Sequence, residues 1–346
     1  MTPRIAALDH AAEARARTRQ NGLVKPRGAL GRLEDVACWF AARQGREIPE
    51  PLRVAITVFA GDHGVTLRGV SAYPREVTAQ MVAGFAHGGT AINALARALD
   101  ARLGVVDVGV AGPRMTLPGV VDARVRDGTA DIVTQPAMSE QDAHAALDVG
   151  ARRADADADA GANLLIAGDM GIGNTTAAAA LVCAFTGASP AEVVGIGTGI
   201  DPARRAHKVE VVAAALARAG NSRPGDGVAW LAQVGGLEIA AIAGYAVRAA
   251  ERGVPVLLDG FISAAAALAA QALAPGVTDW LLASHRSAEQ GHDTALAQLG
   301  LTPLLDLGMR LGEGSGAAVT VPLLQAALRL HREMATFAAA GVSDRE

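Results

Sequence analysis

The stretch Asn163-Leu164-Leu165-Ile166-Ala167-Gly168-Asp169-Met170-Gly171-Ile172-Gly173-Asn174-Thr175-Thr176 decides the fold. An apolar run leads into a tight glycine turn. Two hydroxyl residues follow, and alanines continue through Ala180. That order reads as buried strand, loop and helix N-terminus. Glycines let the backbone come close to a ligand, and the first helical N–H groups are unpaired and point outward. The helix dipole also favours negative charge there, so a phosphate suits the spot. No Lys follows the last glycine, as a Walker A loop requires, and no third glycine at position 176 completes a dinucleotide fingerprint. On spacing alone, a sugar-phosphate site and an ordinary strand–helix turn both stay open.

Working outward, the same rhythm recurs. Apolar, β-branched runs at 53–60, 103–110, 193–199, 254–258 and 279–283 read as strands, several ending in glycine or a polar residue. Helical patterns separate them, at 76–85, after Thr90, at 139–154 with Ser139 as N-cap, at 202–219, at 226–252, at 261–273 and on to 299. Residues 5–19 and a second amphipathic run with Leu30, Leu33, Ala37 and Phe40 on one face read as N-terminal helices. A closing helix puts Leu323, Ala327, Leu330, Met334 and Phe337 on one stripe. The alternation predicts an α/β fold with a mainly parallel sheet covered by helices on both faces. Polar strand ends then gather along one edge, in the crevice where such sheets bind ligands. Expected boundaries are 1–50 and 319–346, forming a small helical domain from both termini, around an α/β domain at 51–318.

Composition narrows the function. At 346 residues the chain can bury a large core. A net charge of -4, scattered basic residues and only 3% aromatic content argue against a nucleic-acid surface. Cys38 and Cys183 lie in apolar helical stretches without CxxC or zinc spacing, which points to buried thiols in a cytoplasmic protein. Residues 1–5 lack the apolar core of a signal peptide. The uncharged run 260–276 is mostly alanine and slightly short for a membrane span, so it reads as a buried helix. The alternating Ala-Asp run at 153–161 lacks the glycine and glutamate of a calcium loop and reads as a solvated helix end.

Strand ends and turns supply the chemistry-bearing residues: Asp62-His63, Asp169, Asp259, Ser284-His285 and Glu313. Glu313 stands between Gly312 and Gly314, with apolar residues nearby. A poorly solvated site there raises a carboxyl pKa toward that of a usable general base. His285, Glu289 and His292 fall at i, i+4 and i+7 and would share a helix face. With Asp62 and His63 they are the one metal-hydrolase reading, though neither HExxH nor HxH occurs. Glu34-Asp35 is the nearest acidic pair to that of a pyrophosphate-dependent phosphoribosyltransferase. It lies in an amphipathic helix rather than after an apolar strand. No GxSxG supports a nucleophilic triad.

Several stretches together go beyond spacing. They are Lys25-Pro26-Arg27-Gly28-Ala29-Leu30-Gly31-Arg32-Leu33-Glu34, Ala60-Gly61-Asp62-His63-Gly64-Val65, Ser71-Ala72-Tyr73-Pro74 with Val77-Thr78-Ala79-Gln80-Met81, and Met170-Gly171-Ile172-Gly173-Asn174-Thr175-Thr176. Gly197-Thr198-Gly199, Asp259-Gly260-Phe261-Ile262-Ser263, Ser284-His285 and Leu311-Gly312-Glu313-Gly314-Ser315-Gly316 complete the set. In this order the chain resembles the nicotinate-nucleotide–dimethylbenzimidazole phosphoribosyltransferase family of cobalamin nucleotide-loop assembly. The resemblance implies transfer of ribose 5-phosphate from nicotinate mononucleotide to 5,6-dimethylbenzimidazole. It implies a Rossmann-like sheet, a homodimer, and no metal or other cofactor. It implies Glu313 as general base, with Asp169 as a second catalytic carboxyl group. Ser71 and Gln80 would line the benzimidazole pocket. Gly171, Gly173, Asn174, Thr175, Gly197, Thr198, Gly199 and Lys208 would hold the ribose phosphate. Asp259 and Ser284 would lie near the nicotinate. The family commonly carries Glu where this chain has Asp169, so the carboxylate here is one methylene shorter. Two other readings stand beside this one: a non-catalytic nucleotide or benzimidazole sensor on the same sheet, and the metal hydrolase.

Overall fold

The computed structural model describes residues 3–197, 199–220 and 225–343. Two compact units emerge: Met1–Ile5 with Val54–Val319, and Ala6–Arg53 with Thr320–Glu346.

The larger unit is built on six parallel strands: β1 (Val54–Gly61), β2 (Arg102–Gly109), β3 (Val120–Asp122), β4 (Leu164–Met170), β5 (Val256–Leu258) and β6 (Leu281–Ala283). Their order is β3-β2-β1-β4-β5-β6. This is the doubly wound arrangement, in which the chain reverses direction across the sheet between β1 and β4. Every residue of β1 is buried, as are six of the seven in β4. Strands covered on both faces need apolar residues on both, which is why these runs do not alternate. The carboxyl ends of β1 and β4 therefore flank the crevice where a ligand is expected, and the opening glycine turn leaves β4 at that point.

Helices Glu140–Asp159 and Leu237–Glu251 cover one face, and they meet at two glycines. A Cβ on Gly150 would fall on the Ala241 carbonyl, and one on Gly244 on the Leu147 carbonyl. The missing side chains let the two backbones touch. Beneath them Asp157 accepts hydrogen bonds from Thr57 Oγ1 (2.9 Å), Tyr245 Oη (2.8 Å) and the Arg153 guanidinium. The Ala-Asp run is thus only partly a solvated helix end. Asp155 pairs with Arg248 and Arg252 at the surface, whereas Asp157 turns inward and pins helix to sheet.

Several expectations need correction. Among the described residues, 193–197 and 199 form no strand. A one-turn helix, Pro190–Val193, is capped by Ser189 and Glu192, and a loop follows. Gly197 and Gly199 have φ of +51° and +102°, outside the β region. Arg205 and Arg310 take the carbonyls of Val194 and Gly197, so side chains replace a strand partner. Thr198 lies outside the described residues. The 226–252 helix is two, Gly227–Val234 and Leu237–Glu251, because Gly235-Gly236 breaks it. The helix expected to carry His285, Glu289 and His292 on one face begins only at His292, so that shared face does not exist.

In the smaller unit the first helix is His10–Gly22, capped by the Asp9 carboxylate, rather than starting at residue 5. The closing helix ends at Glu333, and Phe337 opens a separate turn, Phe337–Ala340. Its buried stripe is Val321, Leu324, Ala327, Leu328 and His331, with Leu323 and Leu330 only half-buried. His331 explains the shift: Gln20 and the Glu47 carbonyl bind its two ring nitrogens and draw a polar residue inside. Lys25 and Glu34, both buried, form an ion pair at 2.7 Å. Glu34 is thereby committed to structure.

Gly150→Ala must push the two covering helices apart, since backbone rather than a movable side chain blocks the new Cβ. A loss of about 1–3 kcal/mol is expected, read as a lower urea midpoint. An unchanged midpoint would contradict the close contact.

Candidate active site

The turn after β4 is held from several sides. Gly171 lies so close to the Gly61 carbonyl that a Cβ would collide with it, and Gly173, at φ +95°, leaves no room beside Thr66. Ile172 N–H donates to Thr78 Oγ1 at 3.1 Å, tying the turn to helix Val77–His87. Beneath it His63 Nε2 and Glu238 Oε1 approach to 2.6 Å, both almost wholly buried. Burial lowers the His63 pKa, but the adjacent Glu238 carboxylate outweighs it and the net shift is upward. A Cβ on Gly236 would meet the His63 ring, and one on Gly61 the Glu238 carboxylate. These glycines admit the protein's own groups.

Helix Asn174–Thr186 starts at the end of this turn. Asn174 Nδ2 donates to Asp169 Oδ2 at 2.9 Å. Asp169 and Asn174, with Thr175, Gly197, Glu289 and Arg310, line a cavity of about 370 Å³. Lys208 Nζ donates to Thr175 Oγ1 at 2.7 Å. A Cβ on Gly197 would crowd both groups. The lysine is 1% exposed, and burial pulls its pKa down to about 8 although Glu289 works the other way. Glu289 is buried, and neither of its carboxylate oxygens has a partner of good geometry among the described residues. Burial raises its pKa, with Lys208 opposing. A hydroxyl and a helix N-terminus at one hollow, with the Lys208 ammonium bonded behind that hydroxyl, suit a phosphate.

Glu313 comes from the other side. Gly312, Glu313 and Gly314 have φ of +83°, +64° and +84°. For glutamate this backbone costs of order 1–3 kcal/mol, so the surroundings must enforce it. Gly168 leaves a gap into which the turn fits, and a Cβ there would overlap the Glu313 carbonyl group. Glu313 N–H donates to the Asp169 carbonyl at 3.3 Å. Gly312 lies over the Asp169 carboxyl group, where a Cβ would come within 3.1 Å of Oδ2. The Glu313 side chain is 5% exposed, and Oε2 has no hydrogen-bond partner among the described residues. Burial raises its pKa, while the N–H of Ile92, in the first turn of helix Ala91–Ala98, pulls the other way. Asp169 is raised further, by burial first and then by the charges of Asp259 and Glu238.

The remaining expected residues are spread more widely. Ser71 is half-buried in the loop before helix Val77–His87, its Oγ accepting from Tyr73 N–H, and Gln80 is exposed on that helix. Gly171, Gly173 and Gly199 do not reach the cavity wall, nor does Lys208. Asp259 is 1% exposed, and its carboxylate accepts from Gly314 N–H (3.1 Å) and Ala317 N–H (3.0 Å). Ser284, fully buried, donates its Oγ hydrogen to the Asp259 carbonyl at 3.3 Å and lies 3.0 Å from His285 Nδ1. Among the described residues, no three His, Cys, Asp or Glu side chains gather as a metal site. His292 Nδ1 accepts the Ser287 N–H, and burial lowers its pKa to about 4.

Sequence reading missed Glu238, Arg310, Glu289 as a cavity residue, and the His285 ring against Gly316. Arg310 offered a signal, because it sits inside the glycine-rich run before Glu313. Glu238 gave none: only the folded chain brings it under Gly61.

A family model described as phosphoribosyltransferase, DBI_PRT, matches residues 5–342. Three relatives carry the name nicotinate-nucleotide–dimethylbenzimidazole phosphoribosyltransferase. The one from Chromobacterium violaceum is 60% identical, over 97% of this chain and 97% of its own. That from Pseudomonas putida strain KT2440 is 53% identical, over 98% and 96%. The Mycobacterium marinum protein is 52% identical, over 98% and 94%. A solved structure described as CobT from Thermus thermophilus superposes with a TM-score of 0.93 at 50% identity, covering 97% of this chain and all of that one. The chain belongs to this family of phosphoribosyltransferases.

Proposed function

We propose that the protein transfers the ribose 5-phosphate of nicotinate mononucleotide to 5,6-dimethylbenzimidazole. The products are α-ribazole 5′-phosphate and nicotinate, for cobalamin biosynthesis. The observation that carries the reading is the strained, buried carboxylate of Glu313 packed on the Asp169 end of β4, beside a cavity with a phosphate-binding character. The names of the full-length relatives agree with it.

The chemistry follows from these groups. Nicotinate leaves C1′ with the electron pair of the C–N bond. Its departure discharges a pyridinium, so no strong general acid is needed. The sugar then has oxocarbenium character. Asp259 and Glu313 bring negative potential to this region, which favours positive charge at C1′. The benzimidazole nitrogen attacks the face opposite the leaving group, turning a β-nucleotide into an α-nucleotide. Glu313 takes the proton from the other ring nitrogen. Three carboxyl groups this close do not all ionise together. Burial, then the charges of Asp259 and Glu238, raise the Asp169 pKa, which favours its neutral form beside the Glu313 base.

Lys208, Thr175 and the start of helix Asn174–Thr186, with Asn174, hold the phosphate, and we assign Gly197, Thr198 and Gly199 to the same group. Ser71 and Gln80 flank the acceptor, and Gly171 and Gly173 shape the turn from which the phosphate-holding helix starts. Ser284 lies toward the nicotinate side. Holding both reactants together supplies much of the rate. No helix of the described residues is long and apolar enough to cross a membrane. The reading includes a cytoplasmic homodimer that does not bind nucleic acid.

Glu313→Gln should lower turnover on the order of 10²–10⁴-fold, as for loss of a general base. Product would be followed by chromatography of α-ribazole phosphate, and near-normal turnover would remove Glu313 from the role. The acid limb of kcat/KM should stand above the ordinary glutamate range, because burial raises the Glu313 pKa and the base works only when ionised. The alkaline side has the opposite sign. Lys208 is charged below about 8 and loses its proton above it, so KM for the nucleotide should rise there. Lys208→Arg should flatten that rise, and an unchanged alkaline profile would detach Lys208 from the phosphate.

A further inference from the structure

The carboxylate of Asp259 at the end of β5 faces the base turn and not the open cavity. Asp259 Oδ2 accepts the N–H of Gly314, the residue after the base, at 3.1 Å. Oδ1 accepts the N–H of Ala317 at 3.0 Å, in the first turn of helix Ser315–Glu333. Asp259 is itself anchored, since its carbonyl accepts the Ser284 hydroxyl from the end of β6. The base turn therefore has two supports. From β4 comes a tight backbone fit: Gly168 makes room, and the Asp169 carbonyl takes the Glu313 N–H. From β5 comes one ionic acceptor that binds two successive parts of the turn and helix.

We propose that Asp259 is a positioning residue for Glu313. It fixes the Gly312–Glu313–Gly314 turn from behind and so determines where the base points. The role rests on Glu313 being the general base. Three left-handed residues in succession are unfavourable for any chain containing a glutamate, and the turn persists only while its amides are held. A carboxylate accepting backbone N–H groups makes stronger hydrogen bonds than a neutral acceptor, and it complements the positive end of the helix that follows. Burial pushes the Asp259 pKa up to about 6, against the N–H groups of Ala317, Gly314 and Gly316, so the clamp is ionised at neutral pH. The other acidic groups near it are Glu313 and Asp169. Neither accepts the amides that Asp259 binds. A one-ångström misplacement of a reacting group is enough to cost about 10²-fold in rate.

The test is a double-mutant cycle in the full-length enzyme: wild type, Asp259→Asn, Glu313→Gln and the double variant. Turnover and KM for both substrates are measured, with thermal melting as a folding control. Asn keeps one acceptor and turns an amide hydrogen toward the second N–H, so kcat should fall about 10- to 10²-fold. KM for the nucleotide should stay within about twofold, because the group does not touch it. In the Glu313→Gln background the same change should cost little more, since a misaimed base and a missing base are not additive. Multiplied losses would overturn the positioning role and leave Glu313 as the base. A rise in nucleotide KM with kcat kept would make Asp259 a substrate ligand and also overturn it. Near-normal turnover of Glu313→Gln alone would remove the base, and this proposal with it. Should Asp259→Asn fail to fold, Asp259→Ser, which retains a helix-capping hydroxyl, enters the cycle with the same expected outcomes.

Discussion

Everything at the site depends on how closely the Gly312–Glu313–Gly314 turn approaches the end of β4. Backbone meets backbone there, with no side chain between, because residue 168 is glycine. The contact joins segments far apart in the chain and brings together two buried acidic residues, Asp169 and Glu313. Burial raises both pKa values, and at Asp169 the charges of Asp259, Glu238 and Glu313 add to it. A carboxylate that water cannot reach is a stronger base than one on the surface, and the fold creates this condition by excluding solvent rather than by adding a charged partner.

The parallel sheet makes the approach possible. Its strands are buried on both faces, so polar groups gather at the edges, and the carboxyl edge is where such sheets bind ligands. At β1 the turn carries His63, at β4 Asp169, at β5 Asp259 and at β6 Ser284. Their roles separate by depth. The His63–Glu238 pair lies under the glycine turn and supports it. Asp259 and Ser284 brace the opposite side. Asp169, Thr175 and Arg310 reach the cavity itself.

Much of this was legible in the sequence, and the failures have physical causes. Strand–glycine–helix order at 163–176 identified the central strand and its turn, because burial on both faces leaves an unbroken apolar run. Glu313 was legible through its flanking glycines, which report a backbone that ordinary residues avoid. The run 193–199 misled, since β-branched residues followed by glycine resemble a strand locally. Arg205, and Arg310 from far along the chain, show that its carbonyls are taken by side chains. The closing helix was misread by a slight rotation, because a polar residue, His331, belongs to its buried face. Gly171 and Gly173 were read as room for a ligand. In the folded chain they make room for Gly61 and Thr66. Periodicity reports how exposed a residue is, and it is silent about which partner occupies the space.

The strand pairing has a further consequence for biogenesis. β1 lies between β2 and β4, and β4 in turn pairs with β5, which is synthesised much later. The base arrives later still, after β6. Contacts of such long sequence separation form slowly, because the intervening chain must close as a loop first. The base can be placed only once the last crossover has docked on the sheet.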